Sequence, residues 1–82
     1  MEYDIEKLTN DYLDIAIDAS YVSNLKKHLP TIKSNLKIIS SYLLENKHNP
    51  DSADADKLMK IGYWLYFYRD YYLKFQSDGA QQ

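Results

Sequence analysis

The sequence of 82 residues contains no cysteine and only two glycines, two prolines and two histidines. Without cysteine, the chain has neither a disulfide to stabilise it nor a thiolate ligand for zinc or an iron–sulfur cluster. No glycine-rich loop follows a strand pattern, which argues against the phosphate-binding loops of nucleotide-dependent enzymes. We therefore expect no catalytic residues, no cofactor and no metal site.

Long apolar runs are also missing, since none approaches the about 18 residues that cross a membrane. The first residues are acidic (Glu2, Asp4 and Glu6), whereas a secretory leader begins with basic ones. Twelve acidic and ten basic residues give a net charge of -2, which argues against general nucleic-acid binding. These features predict a cytoplasmic protein. The bias towards Lys, Asn, Ile and Tyr favours an AT-rich gene of a bacterium, phage or plasmid.

Apolar residues in the first third of the chain recur every three or four positions, so they share one face of a helix. They are Ile5, Leu8, Tyr12, Ile15, Ala19 and Val22. This spacing predicts a first helix over about residues 3–28, with cations at the end that the helix dipole favours. The polar cluster at 20–24 competes for backbone hydrogen bonds, and in the alternative that it offers the helix ends early and Ser23 caps the next one.

A second apolar stripe predicts a helix over about residues 31–47. Its members are Ile32, Leu36, Ile39 and Leu43. Pro30 disfavours helical backbone at Leu29, so the chain turns or kinks there. Because the two stripes stay nearly in phase across Pro30, one long helix kinked at Pro30 is an alternative to two separate helices.

A third helix is predicted over about residues 52–76. Residues that favour a helix start precede it: Asn49, Pro50, Asp51 and Ser52. Its apolar stripe consists of Leu58, Ile61, Leu65, Tyr68, Tyr72 and Phe75. Gly79 can adopt the left-handed conformation that ends a helix.

The three patterns together predict an all-α fold, a small three-helix bundle. Its single domain covers residues 1–77, and residues 78–82 form a disordered tail.

Charge is distributed unevenly along the chain, because residues 1–20 carry six acids and one base whereas residues 21–49 carry five bases and one acid. An acidic stripe on the first helix consists of Asp4, Asp11 and Asp18 with Asp14 beside them, and a basic stripe across Pro30 consists of Lys26, Lys33 and Lys37. The simplest interpretation is two solvated faces, and the alternative is that the acidic and basic stripes meet within or between chains.

Aromatic residues are concentrated in the third helix, where eight of the chain's twelve lie between positions 63 and 75. One core-facing stripe cannot use them all, unless the other two helices wrap this one. Tyr and Trp are enriched at interface hot spots because they bury a large area and keep a polar tip. We expect a partner-binding surface made of Met59, Tyr63, Trp64, Tyr66, Phe67 and Tyr71. Gly62 is expected at the centre of a contact between two copies of this helix.

The basic residues suggest a second kind of site. Lysine and arginine side chains beside a tyrosine fit a phosphate-bearing ligand such as a nucleotide, whose base stacks on the ring. The candidate anion-binding residues are Lys26, Lys27, Lys33, Lys37 and Arg69.

Histidine and carboxylate patterns give no catalytic or metal site. Glu45 and His48 have the E-x-x-H spacing of di-iron bundles, but the second such pair and the further glutamates are missing. His28 is expected to face water at the end of the first helix. Asp14 and Asp18 stand one turn apart without the apolar surroundings that raise a carboxyl pKa for acid–base catalysis.

The combined patterns predict a non-enzymatic protein-binding module, a small regulator or inhibitor of another protein. They favour a homo-oligomer, in particular a dimer, formed through the third helix. The alternative function is that of a helical bundle that binds or sequesters a nucleotide or another phosphate-bearing small molecule.

Overall fold

Helical backbone accounts for almost all of the chain that the computed structural model describes, residues 3–46 and 52–80. The helices are α1 (Ile5–Asp18), α2 (Leu29–Glu45) and α3 (Ala53–Ala80), and a 3-10 segment (Val22–His28) connects α1 to α2. No strand occurs in the described ranges. The predicted all-α three-helix bundle is confirmed.

α1 ends at Asp18, whereas the apolar stripe predicted a helix to residue 28. Tyr21 interrupts the helix by adopting extended backbone, with φ -122° and ψ 111°. It lies in the polar cluster at 20–24, whose side chains compete with helical hydrogen bonds. The early end suggested by this cluster is thus observed, but its second part is wrong, because the 3-10 segment has no side-chain cap and Ser23 does not supply one.

Pro30 lies in the first turn of α2, which begins at Leu29 directly after the 3-10 segment. The missing N–H of proline costs nothing there, because first-turn N–H groups have no intrahelical acceptor. The chain breaks at Tyr21 rather than at Pro30, so the single long helix kinked at Pro30 is not formed.

α1 and α2 run antiparallel, as two contacts between them show. Tyr3, just before α1, meets Tyr42 near the end of α2 with ring centroids 5.2 Å apart. In the middle of both helices, Asn35 Nδ2 donates a hydrogen bond to Asp11 Oδ2 at 2.9 Å. Residue numbers therefore rise along α1 as they fall along α2.

α3 runs antiparallel to α2 and is much longer than either neighbour. Gly62 lies against Ile39, and Arg69 shares a groove with Lys33. Its 28 residues span about 42 Å at 1.5 Å per residue. The described chain accordingly has the shape of a rod, 48 × 19 × 19 Å.

The core consists of the three predicted stripes, which meet along the bundle axis, together with Leu25 of the 3-10 segment, which belongs to none of them. Its buried members are Leu8, Ile15, Leu25, Ile32, Leu36, Ile39, Leu58, Ile61, Leu65 and Tyr72. Phe75 was predicted to join them but is exposed, because α3 has by then passed the ends of its neighbours. The core therefore ends at Tyr72.

Both ends of α3 can be compared with the prediction. Ser52 caps the start, since its Oγ accepts a hydrogen bond from the Ala55 N–H at 3.1 Å. The helix then continues to Ala80, beyond the predicted end at 76. Gly79 was expected to end it in the left-handed conformation, but no glycine in the described residues has a positive φ. Residues 78–80 are thus helical rather than part of a disordered tail. The predicted caps Asn49 and Asp51 lie outside the described residues, as do residues 81 and 82.

Gly62 leaves room for one more carbon between α3 and α2. A β-carbon at this position would lie 3.5 Å from Ile39 Cγ2, an ordinary van der Waals distance. We expect Gly62→Ala to raise the free energy of unfolding by up to about 1 kcal/mol, because glycine inside a helix costs more backbone entropy than alanine. Urea denaturation at a fixed protein concentration measures the change. A loss of stability would show that α2 and α3 pack too closely for this methyl group.

Candidate functional site

The outer side of α3 carries a row of aromatic side chains that α1 and α2 do not cover. Four of the predicted partner-binding residues form it, namely Tyr63, Trp64, Phe67 and Tyr71, and they are 41–66% exposed. We call this group the aromatic ladder. Trp64, Phe67 and Tyr71 follow one another at three and four positions, and Tyr63 directly precedes Trp64. All four lie away from Leu58 and Leu65, which are fully buried. The other two helices therefore do not wrap α3.

Each ring of the aromatic ladder touches the next one. The Trp64 ring lies 5.6 Å from Tyr63 and 5.5 Å from Phe67, both edge to face, and Phe67 stacks on Tyr71 at 6.1 Å. Trp64 also contacts the half-buried Tyr68 at 5.9 Å, which connects the ladder to the core. Rings that already hold one another lose little rotamer freedom on binding, so this surface is preorganised for a contact.

The remaining two predicted partner-binding residues point elsewhere. Tyr66 is exposed beside α2, and its ring lies 5.6 Å from the Arg69 guanidinium in a cation–π contact. Met59 precedes Tyr66 by seven positions and is on the same side of the helix. The structure therefore places these two residues on a different side of α3 from the aromatic ladder.

α1 extends the apolar surface beside the ladder. Leu13 and Trp64 line opposite sides of a shallow groove of about 300 Å³ between α1 and α3. Ile17, one turn beyond Leu13, is 73% exposed. The sequence interpretation missed both residues, although their i, i+4 spacing off the core stripe of α1 is a signal for a second apolar face.

Two acidic residues of α1, which the interpretation of two solvated faces leaves in water, instead bond to the segments that follow α1. Asp18 Oδ2 accepts a hydrogen bond from His28 Nε2 at 2.7 Å and forms an ion pair with Lys27 Nζ at 3.2 Å. The His28 hydrogen bond, followed by Lys27, holds the pKa of Asp18 below its ordinary range. His28 is therefore mostly buried against α1, contrary to the prediction that it faces water.

Asp11 makes the second of these connections. Its carboxylate accepts hydrogen bonds from the buried Asn35 side chain and from the Lys7 ammonium, each at 2.9 Å. These two hydrogen bonds, Asn35 first, lower the pKa of Asp11. The acidic stripe of α1 thus partly meets the following segments within the chain, whereas Asp14 remains exposed.

The predicted anion-binding residues divide into two groups. Lys33, Lys37 and Arg69 converge on one groove between α2 and α3. Lys26 and Lys27 line a separate depression near Pro30, and Lys27 is paired with Asp18. Sequence spacing alone did not distinguish these groups.

Within residues 3–46 and 52–80 no three His, Asp or Glu side chains come together as metal ligands. His48, the partner of Glu45 in the E-x-x-H pair, lies outside these ranges. None of the helices in the described part combines the length and the apolar composition of a membrane span.

Comparison with known protein families, curated proteins and solved structures finds no match to this chain.

Proposed function

We propose that this chain is a non-enzymatic protein-binding module, a small regulator or inhibitor of another protein, which docks through the aromatic ladder. One observation supports it above all others: four aromatic rings, each in contact with the next, lie on the outer side of α3. Aromatic anchors at i, i+3 and i+7 spacing are what a helix presents to an apolar groove of a partner. The proposal places the module in the cytoplasm, and the composition bias supports an origin in a phage or plasmid.

The area of the surface fits this role. A half-exposed aromatic side chain presents about 100 Å², so the aromatic ladder and Leu13 together present about 500 Å². That value lies near the upper end of the largest apolar patches of monomers, which are often functional. A specific interface buries about 800 Å² per partner. The charged residues along the same side, Lys60, Asp70 and Lys74, would supply the polar rim.

A second copy of the chain is the first partner that we propose. A twofold axis through the aromatic ladder would place apolar rings against apolar rings and remove both patches from water. Phe67 is the natural centre, because it contacts both Trp64 and Tyr71. Gly62 is not, since it faces Ile39 inside the bundle, and the earlier expectation of Gly62 at the dimer centre is wrong.

Phe67→Glu should shift self-association towards the monomer. Sedimentation equilibrium at micromolar concentration should give the wild type a mass of about twice 9.7 kDa, and the variant a mass near one chain. A carboxylate at this position would have to be desolvated among aromatic rings. Leu73→Glu is the matched control, because Leu73 is on the same helix and nearly as exposed but lies away from the ladder.

The outcomes separate the two partners. Equal shifts in both variants would contradict a role for the ladder in pairing. A wild-type mass of one chain throughout would exclude the second copy and leave a different protein as the partner. In that case, a cellular protein should be retained by the wild type and by Leu73→Glu but lost with Phe67→Glu. Retention by none of the three would contradict the proposal.

A further inference from the structure

A second surface, independent of the aromatic ladder, lies on the other side of α3. It is an open groove of about 480 Å³ between α2 and α3. Its floor is Leu36, which is almost fully buried, and each of its other lining side chains carries a polar group at its end. We call it the basic groove.

Three cationic side chains converge on the basic groove from two helices. Lys33 and Lys37 are one turn apart on α2, and Arg69 faces them from α3. Within the described residues neither lysine has a carboxylate within 4 Å, and the neighbour of Arg69 is the exposed Asp70 at 3.5 Å. Two lysines at i, i+4 repel each other, which is a cost that a bound anion would remove. On a chain with net charge -2, this is a concentrated patch of positive charge.

The other polar groups of the groove are hydroxyls. Ser40 and Ser41 lie on the α2 side and Tyr66 on the α3 side. Hydroxyl, ammonium and guanidinium groups all donate hydrogen bonds, and among residues 3–46 and 52–80 no carboxylate lines the groove. The Tyr66 ring also lies 5.6 Å from the Arg69 guanidinium, which favours one orientation of that side chain before any ligand arrives.

These features point to a phosphate group rather than a carboxylate. A phosphate monoester carries nearly two negative charges and three acceptor oxygens, which match three cations and several hydroxyl donors. The groove is also larger than a bare phosphate ion needs, so the rest of a small molecule has room beside it. We propose that the basic groove binds a soluble phosphorylated small molecule, with its phosphate held by Lys33, Lys37 and Arg69.

Titration calorimetry with adenosine monophosphate and with inorganic pyrophosphate tests the proposal, and adenosine serves as the uncharged comparison. Both phosphates should bind, adenosine should not, and raising the salt concentration should weaken binding, since the contact is ionic and exposed. Lys37→Gln and Arg69→Gln should each reduce the affinity about tenfold or more, because each removes a charge-assisted hydrogen bond. Circular dichroism checks that both variants keep the helicity of the wild type.

Lys26→Gln is the matched control, because it also removes one lysine charge, but from a residue that lies outside the groove. It should leave the affinity within about twofold of the wild type. Equal losses in Lys26→Gln and Lys37→Gln would mean that overall charge attracts the anion, and would overturn the proposal. Absence of binding at millimolar concentrations of both phosphates would overturn it as well. Phe67→Glu should bind both phosphates with the affinity of the wild type, because Phe67 does not line the basic groove. This variant therefore tests the groove separately from the aromatic ladder.

Discussion

Leu65→Ala should lower the free energy of unfolding by about 2 to 5 kcal/mol. Leu65 is fully buried in the middle of α3, where the core stripes of all three helices meet. Its removal loses the transfer free energy of the side chain and leaves a cavity that the surrounding helices fill only in part. A domain of this size has a total stability near the low end of about 5 to 15 kcal/mol, so the loss is a large part of the whole.

Urea denaturation followed by circular dichroism measures this change, at one fixed protein concentration because pairing would make stability concentration-dependent. Leu73→Ala on the same helix is the control. Leu73 is 46% exposed, so the same chemical change should cost about 0.5 kcal/mol or less. Similar losses in the two variants would contradict the core assignment.

Asn35→Asp should destabilise the protein by about 3 to 5 kcal/mol at neutral pH. The two side chains have nearly the same shape, but the substitution replaces a donor by a second carboxylate facing Asp11. Asn35 is 2% exposed and its Nδ2 lies 2.9 Å from Asp11 Oδ2. Two carboxylates this close cannot both ionise cheaply, so the folded protein would have to take up a proton.

The pH dependence gives this prediction a distinctive sign. One carboxyl of the new pair would have a pKa above its unfolded value, so its penalty is largest at neutral pH and shrinks as the pH falls. In the wild type the opposite holds for Asp11, whose lowered pKa contributes stability that is lost as the pH falls through the folded-state value. Denaturation curves at pH 7 and near pH 5 should therefore show that the variant and the wild type differ less in their free energy of unfolding at the lower pH.

Two further variants isolate the cause. Asn24→Asp makes the same substitution at an exposed position and should change stability by about 0.5 kcal/mol or less. Combining Asn35→Asp with Asp11→Asn reverses donor and acceptor and should recover part of the loss. Without any recovery, the damage would have to come from burying the new carboxylate rather than from its repulsion by Asp11.

The sequence specified the helices more reliably than the breaks between them. Residues such as Ile15, Leu36 and Leu65 recur with helical spacing, and burial of that stripe fixes which side of each helix faces inward. The end of α1 was predicted too late because Val22 continues the stripe. A periodic apolar pattern does not report that Tyr21 is extended, since the 3-10 segment that follows also turns apolar side chains inward.

The surfaces were predictable to different degrees. The aromatic ladder follows from counting, because one stripe cannot bury eight aromatic residues and the surplus must lie outside. The anion-binding residues were predicted from the sequence only as one undivided set. That Lys37 joins Arg69, more than thirty positions away, in one groove could not be predicted. Their proximity depends on how far α3 is shifted along α2, and the packing of buried side chains of α3, such as Leu65, against those of α2, such as Leu36, sets this register. The burial of Asn35 was also not predicted, because it depends on a contact between helices, the hydrogen bond to Asp11 of α1.

Because α3 is longer than its neighbours, its two parts differ in the free energy that local unfolding costs. Up to Tyr72 the helix shares its apolar side with α1, α2 and the 3-10 segment, so breaking its hydrogen bonds there requires dismantling the core. From Leu73 to Asp78 every side chain is exposed, so these turns are held mainly by their own backbone bonds and by the contact of the Phe75 ring with Tyr72. A few helical turns without tertiary support are marginal in water. The last turns can therefore unwind and reform while the bundle stays folded, which makes them a separate, low-energy unit of hydrogen exchange within one continuous helix.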